Sequence, residues 1–132
     1  MAQSNNTTLL KVALVIFAVV SIIVGVILWI FPGTMVTLVG GNPVDFAWLR
    51  WSGGAFIALG IGALMVFRKP EKQDIFVFTM ALIALFKGLG FLFSWIMKES
   101  SGPTIFIAVE TIFWLVISCL FWWGRQQAKG IL

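Results

Sequence analysis

Residues 81–96 read ALIALFKGLGFLFSWI, an apolar run with a single charge, Lys87, near its middle. A run of this kind is a membrane helix or the buried core of a large soluble protein. The rest of the chain decides between them. The 132 residues are 61% hydrophobic and 11% charged, with a mean hydropathy of +1.06. A chain of this length forms one domain, taken here as residues 1–132. Such a domain has too little interior to bury that much apolar surface, so the surface itself must face lipid.

Residues 81–96 fall within one of four segments that reach the roughly 20 residues a membrane helix needs. They cover residues 9–31, 43–67, 74–97 and 103–123. The expected fold class is an all-α integral membrane protein, a four-helix antiparallel bundle. The first segment is too long for a signal peptide's apolar core, and no small-x-small cleavage site follows it, so it reads as a retained helix. Basic residues set the orientation. Lys11 precedes the bulk of the first span. Arg68, Lys69 and Lys72 fill the loop between the second and third, and Arg125 and Lys129 follow the fourth. The other side has only Lys98 in a loop and Arg50 near a helix start. Both termini are therefore expected on the cytoplasmic side. Asn5 and Asn6 each open an Asn-x-Thr triplet, which that placement makes irrelevant to glycosylation.

Tryptophans fit this layout. Trp29, Trp48, Trp51 and Trp95 fall near the outer helix ends, and Trp122 and Trp123 at the inner end of the last helix, as an interfacial belt requires. Trp114 lies inside a span, so its indole N–H needs a partner within the protein or along its own helix. In NPVDFAWLR, residues 42–50, Asn42 is the expected cap, Pro43 the first helical residue and Asp45 an anion in the first turn. Pro103 opens the fourth span in the same way. Each proline is followed by phenylalanine after three residues (Phe46, Phe106) and a charge after seven (Arg50, Glu110), a match that is either a faint two-hairpin repeat or a coincidence of short segments.

Histidine is absent and Cys119 is the single cysteine, expected to be buried. The sequence therefore lacks the commonest ligands for haem, zinc and copper and cannot form an internal disulfide. No cofactor and no metal site is expected. The net charge of +4 is distributed at helix ends, and no basic face outside the membrane is large enough for nucleic acid.

Gly54, Ala58 and Gly62 recur every four residues in the second span, with Gly53 and Gly60 beside them, and form a small-xxx-small stripe for helix packing. Ala84 and Gly88 do the same in the third span, and Ser21 and Gly25 in the first. These stripes serve contacts within one bundle or between subunits. WLRWSGGAFIALGIGALMVFRKP, residues 48–70, resembles the second-helix pattern of small bacterial four-helix membrane proteins of the DoxX-like type. There an arginine (here Arg50) precedes a glycine pair (Gly53, Gly54), and a glycine-rich helix (Gly60, Gly62) ends in basic residues (Arg68, Lys69). The resemblance implies the four-helix architecture and a bacterial cytoplasmic membrane. The chain is also similar to small multidrug transporters in size, span number and the possession of one intramembrane glutamate. Theirs lies in the first span, whereas Glu110 is in the fourth.

Arg50, Lys87 and Glu110 are the charges within the spans. Each costs at least about 2.5–3.5 kcal/mol at the bilayer centre unless it faces the bundle and finds a partner. At 1.5 Å per residue, Arg50 and Glu110 lie roughly 10 Å below their opening prolines and Lys87 about 16 Å below the outer end of its helix. A lysine stem can span the difference, so the three are expected to form one cluster in the outer half of the bundle, with Glu110 the counter-ion of Lys87. Three functions are compatible with these features. The first is a non-catalytic accessory or assembly subunit of a membrane complex, packing against a membrane-protein partner or a second copy, or against lipids, quinones or pigments. The second is a small transporter or channel for an anion or proton. The third is an enzyme acting on a lipophilic substrate through Glu110 and Lys87.

Overall fold

The structure, a computed structural model, describes residues 6–41, 45–99 and 102–132. All its regular structure is helical: α1 (Thr8–Ile30), α2 (Pro32–Val39), α3 (Phe46–Arg68), α4 (Asp74–Ile96) and α5 (Thr104–Gln127). Four of these are long and apolar enough to cross a membrane.

The expected spans are recovered with shifted ends, and α2 is an addition. Pro32-Gly33 reads as a stop signal, but proline at the first helical position also starts a helix. A new eight-residue helix begins there and ends at Gly40, whose φ of 67° is the left-handed cap that glycine adopts without strain. The start of α3 also differs. Asp45 is its cap and not a first-turn anion, with its carboxylate accepting the Ala47 N–H at 2.9 Å. Asn42 and Pro43 lie outside the described residues, as does Asn5. Asn6 has a structural role, accepting the Thr8 N–H at 3.0 Å where α1 begins. Pro103 flanks α5 rather than opening it, and α5 continues past Trp123 to Gln127. Cys119, expected to be buried, is exposed.

Helix α1 is the centre of the packing, lying against α3 on one side and α5 on the other, while α4 lies against α5. The buried core runs along these seams. Phe17 of α1 meets Trp114 and Phe121 of α5 edge to face, with centroids 6.0 and 5.5 Å apart. Leu10, Leu14, Val77, Met80 and Ile117 belong to it, as do Ala63 and Val66 of α3. The Ser118 hydroxyl donates to the Ala81 carbonyl across the α4–α5 seam at 3.0 Å.

Small residues set the closest approaches. A Cβ on Gly25 would stand 2.7 Å from the Gly53 carbonyl oxygen, and one on Gly53 2.6 Å from the Gly25 oxygen. Gly60 continues this seam against Ala18 and Ile22, and Gly124 lies against the Leu10 backbone. Gly88 packs on Leu115 of α5, beside the fully buried Ala84. The seam between α1 and α3 therefore follows Gly53 and Gly60. Of the stripe expected from sequence, Gly62 meets the Phe76 ring of α4, but Gly54 has nothing within 4 Å and Ala58 is exposed. Within one chain that stripe is not a continuous contact, because the helix turns its neighbour Gly53 toward α1.

At the end where α4 starts and α5 finishes, Arg125 grips Asp74 with two hydrogen bonds of 2.6 and 2.9 Å. Both residues also suit their helix dipoles. Sequence reading used Arg125 only for orientation. Asp74→Asn is expected to lower stability by about 1 kcal/mol, since both side chains remain partly exposed. Arg125→Gln should cost about the same, and the double change no more than either single one. Melting of the three variants in detergent tests this; losses that simply add would show that the two residues act independently.

Candidate functional site

The site is built around Trp114, on the inner face of α5 and only 2% exposed. Its indole N–H donates to the Glu110 carboxylate one turn back at 2.8 Å. The polar atom of a buried tryptophan is thus satisfied along its own helix. Phe17 and Phe113 each meet the ring edge to face.

Lys87 lies on the face of that ring. Its ammonium nitrogen stands 3.6 Å from the Trp114 centroid and 3.9 Å from the centroid of Phe56 on α3. The charge is sandwiched between two π faces, one from α5 and one from α3. Each desolvated cation–π contact is worth about 0.5–2 kcal/mol. Glu110 is the anion whose field reaches Lys87, but the two make no ion pair, and the single ion pair among the described residues is Arg125–Asp74. Trp114 connects them: a carboxylate accepting the indole N–H pushes electron density toward the ring, and the ring face holds the ammonium. Through these two rings Lys87 joins α4 to α3 and α5.

Arg50 is placed elsewhere. It is exposed, and its Nε donates to the Trp29 carbonyl at 3.3 Å. That carbonyl is one of the last four of α1, which have no partner inside their own helix. Sequence spacing gave height and not direction. With Asp45 as the cap, Arg50 is only one turn into α3, and it turns toward α1 like Gly53 three residues later. The cluster therefore contains Lys87 and Glu110, with Trp114 and Phe56 as the members that sequence reading missed. Trp114 carried a signal, an indole inside a span one turn from a glutamate. Phe56 carried none, since α3 presents apolar residues on every side.

Glu110 has a second face. It forms part of the wall of a cavity of about 340 Å³ between α4, α5 and the end of α2, together with Phe91, Ser94, Phe106 and Glu99. The cavity is mostly apolar, and the Glu110 carboxylate, with one hydrogen bond from Trp114, retains acceptor capacity. No group of histidine, cysteine and carboxylate residues able to hold a metal occurs among the described residues.

A family model described as a domain of unknown function, DUF4345, matches residues 9–124, which is nearly the whole chain, and the chain belongs to that family. The description names no ligand, partner or activity and does not link the chain to DoxX-like proteins. Neither the curated proteins nor the solved structures provide a match.

Proposed function

We propose that this member of the DUF4345 family is a non-catalytic integral membrane protein, an accessory or assembly subunit of a larger membrane complex. In this reading the four long helices cross the bilayer as an antiparallel bundle, with both termini and the α3–α4 loop on the cytoplasmic side. The observation that carries it is the engagement of Lys87 and Glu110 by Trp114. Charges held by their own aromatic neighbours act as a register lock for the helices. The outward surface is then the working surface. It is apolar and aromatic, with Trp48, Trp51, Phe86 and Trp123 all exposed, and on α3 the open Gly54 and the exposed Ala58 leave room for another backbone beside Trp51.

The test is affinity purification from native membranes followed by mass spectrometry. A stoichiometric membrane-protein partner is expected, lost on Ala58→Leu while the purified variant keeps its melting temperature. A chain recovered alone, in lipid only, would rule out the subunit reading. One observation favours a second reading, a small transporter or channel for an anion or proton: Glu110 also lines the cavity of about 340 Å³. Recovery as a homodimer whose stability depends on an added ligand would support that reading instead.

A further inference from the structure

The nine cations and five carboxylates are divided unevenly. Lys11, Arg68, Lys69, Lys72, Arg125 and Lys129 gather with Glu71 and Asp74 at one end of the molecule. Contacts across that end hold it together: Arg125 on Asp74, the Lys72 N–H on the Ile131 carbonyl at 3.3 Å, and the Lys11 ammonium 5.5 Å above the Phe67 ring. The remaining charges, Arg50, Lys87 and Lys98 against Asp45, Glu99 and Glu110, balance three to three. Six cations and two carboxylates leave the chain's whole excess of +4 at a single end. Asp74 is taken up by Arg125, and Lys11 and Arg68 have no carboxylate partner among the described residues.

Two grooves open at this end, and Phe67 is the ridge they share. One, of about 500 Å³, is lined by Thr7, Thr8 and Lys11 at its mouth and by Val12, Val15 and Ile16 farther along α1. The other, of about 530 Å³, runs from Arg68 along Met65, Leu64 and Ile61 of α3. Each groove is polar and cationic at its mouth and apolar along its length. Lys11 is moreover set in the first turn of α1, which has no acidic residue. The helix dipole disfavours a cation there and favours an anion beside it.

We propose that the two grooves together bind one anionic phospholipid, its phosphate between Lys11 and Arg68 and its two acyl chains along α1 and α3 on either side of Phe67. The proposal rests on the membrane-spanning reading above. Charge complementarity selects the lipid class. A zwitterionic lipid offers the same chains but brings its own cation to a site already rich in them, and free phosphate brings the charge without the chains. Glu71, in the α3–α4 loop, is the one side-chain carboxylate at this end outside an ion pair among the described residues, and it is outnumbered.

The experiment uses full-length protein in detergent, titrated with phosphatidylglycerol, with phosphatidylcholine of the same chains, and with inorganic phosphate, bound lipid being read by native mass spectrometry. Phosphatidylglycerol should be retained preferentially. A factor of about five per cation near the headgroup predicts that Lys11→Gln with Arg68→Gln lowers its retention about twenty-fivefold. Lys69→Gln with Lys129→Gln removes the same charge outside the two grooves and should leave retention within about twofold. Val15→Trp should displace the lipid with every charge intact. Equal retention of the two lipids, equal losses in the two charge pairs, or full displacement of the lipid by millimolar phosphate would each overturn the proposal. Carbonate extraction separates this from the underlying reading. A chain that stays in the membrane pellet but fails the lipid test removes only the lipid site; a chain released by carbonate removes the membrane reading itself.

Discussion

Gly53→Ala is expected to open the α1–α3 seam, whereas Gly54→Ala, one residue along the same helix, is expected to leave the protein as stable as before or more so. The added atom is the same and so is the change in helix propensity, which favours alanine by about 1 kcal/mol inside a helix. What differs is the direction. At Gly53 the new Cβ would stand 2.6 Å from the Gly25 carbonyl oxygen and 2.9 Å from the Trp29 nitrogen. Both are backbone atoms of a continuous helix and cannot swing aside as a side chain can, so α1 and α3 must separate along their length. Overpacking of this kind costs about 1–3 kcal/mol, and here the loss extends to Gly60 and the Arg50–Trp29 bond at the same seam. At Gly54 the Cβ meets nothing within 4 Å of its own chain. Intrinsic tryptophan fluorescence during thermal melting in detergent measures both variants. Equal melting temperatures would show that the two helices are not in backbone contact. If Gly54→Ala proves the more damaging of the two, and more so in membranes than in detergent, its face is occupied by another subunit.

The one-residue difference between Gly53 and Gly54 also marks how far the sequence can be read. Length and hydropathy along the chain located the long helices to within a few residues, because the cost of exposing apolar residues to water is additive along the chain. Rotation about each helix axis was not legible. In a soluble helix a polar face fixes which side looks outward; in α3 nearly every residue is apolar or small, so Gly53 and Gly54 look alike in the sequence although they differ by about 100° around the helix. Arg50 was misplaced for the same reason, its height being roughly right and its direction not. Helix α2 was missed differently: Pro32-Gly33 supports both a stop and a restart, and only the apolar run after it, ending at Gly40, chooses. Trp114 carried a partial signal. A buried indole must donate its N–H, and Glu110 stands one turn away on the same helix; a pair on one helix turns with it, so that constraint joins the two residues and leaves the rotation of α5 open.

That pairing leads to the largest coupling expected in the molecule. Glu110→Gln preserves an acceptor for the Trp114 N–H but removes the negative charge behind the ring, leaving the ammonium of Lys87 between two aromatic faces without an anion near it. The expected cost is about 2 kcal/mol, below the 3–5 of a fully buried orphaned charge because Lys87 is only partly enclosed. Lys87→Met keeps the apolar stem and loses the two cation–π contacts, costing about 1 kcal/mol. The double variant contains no orphaned charge, so it should be more stable than Glu110→Gln alone, and the two effects should couple by at least about 1 kcal/mol. If the connection passes through the indole, repeating the cycle in a Trp114→Phe background separates it from simple attraction through space. Phenylalanine keeps a ring beneath Lys87 but breaks the hydrogen bond to Glu110, so the coupling should fall by at least half. A coupling unchanged in that background would show that Glu110 acts on Lys87 directly, with Trp114 a bystander. Strict additivity in the original background would dissolve the cluster. The pattern expected here gives the charge in the apolar run of α4 a physical reason: an uncharged residue of the same length would fill the space between Phe56 and Trp114, but only a cation is drawn to both faces and to the carboxylate behind one of them, and so holds α4 in one register against α3 and α5.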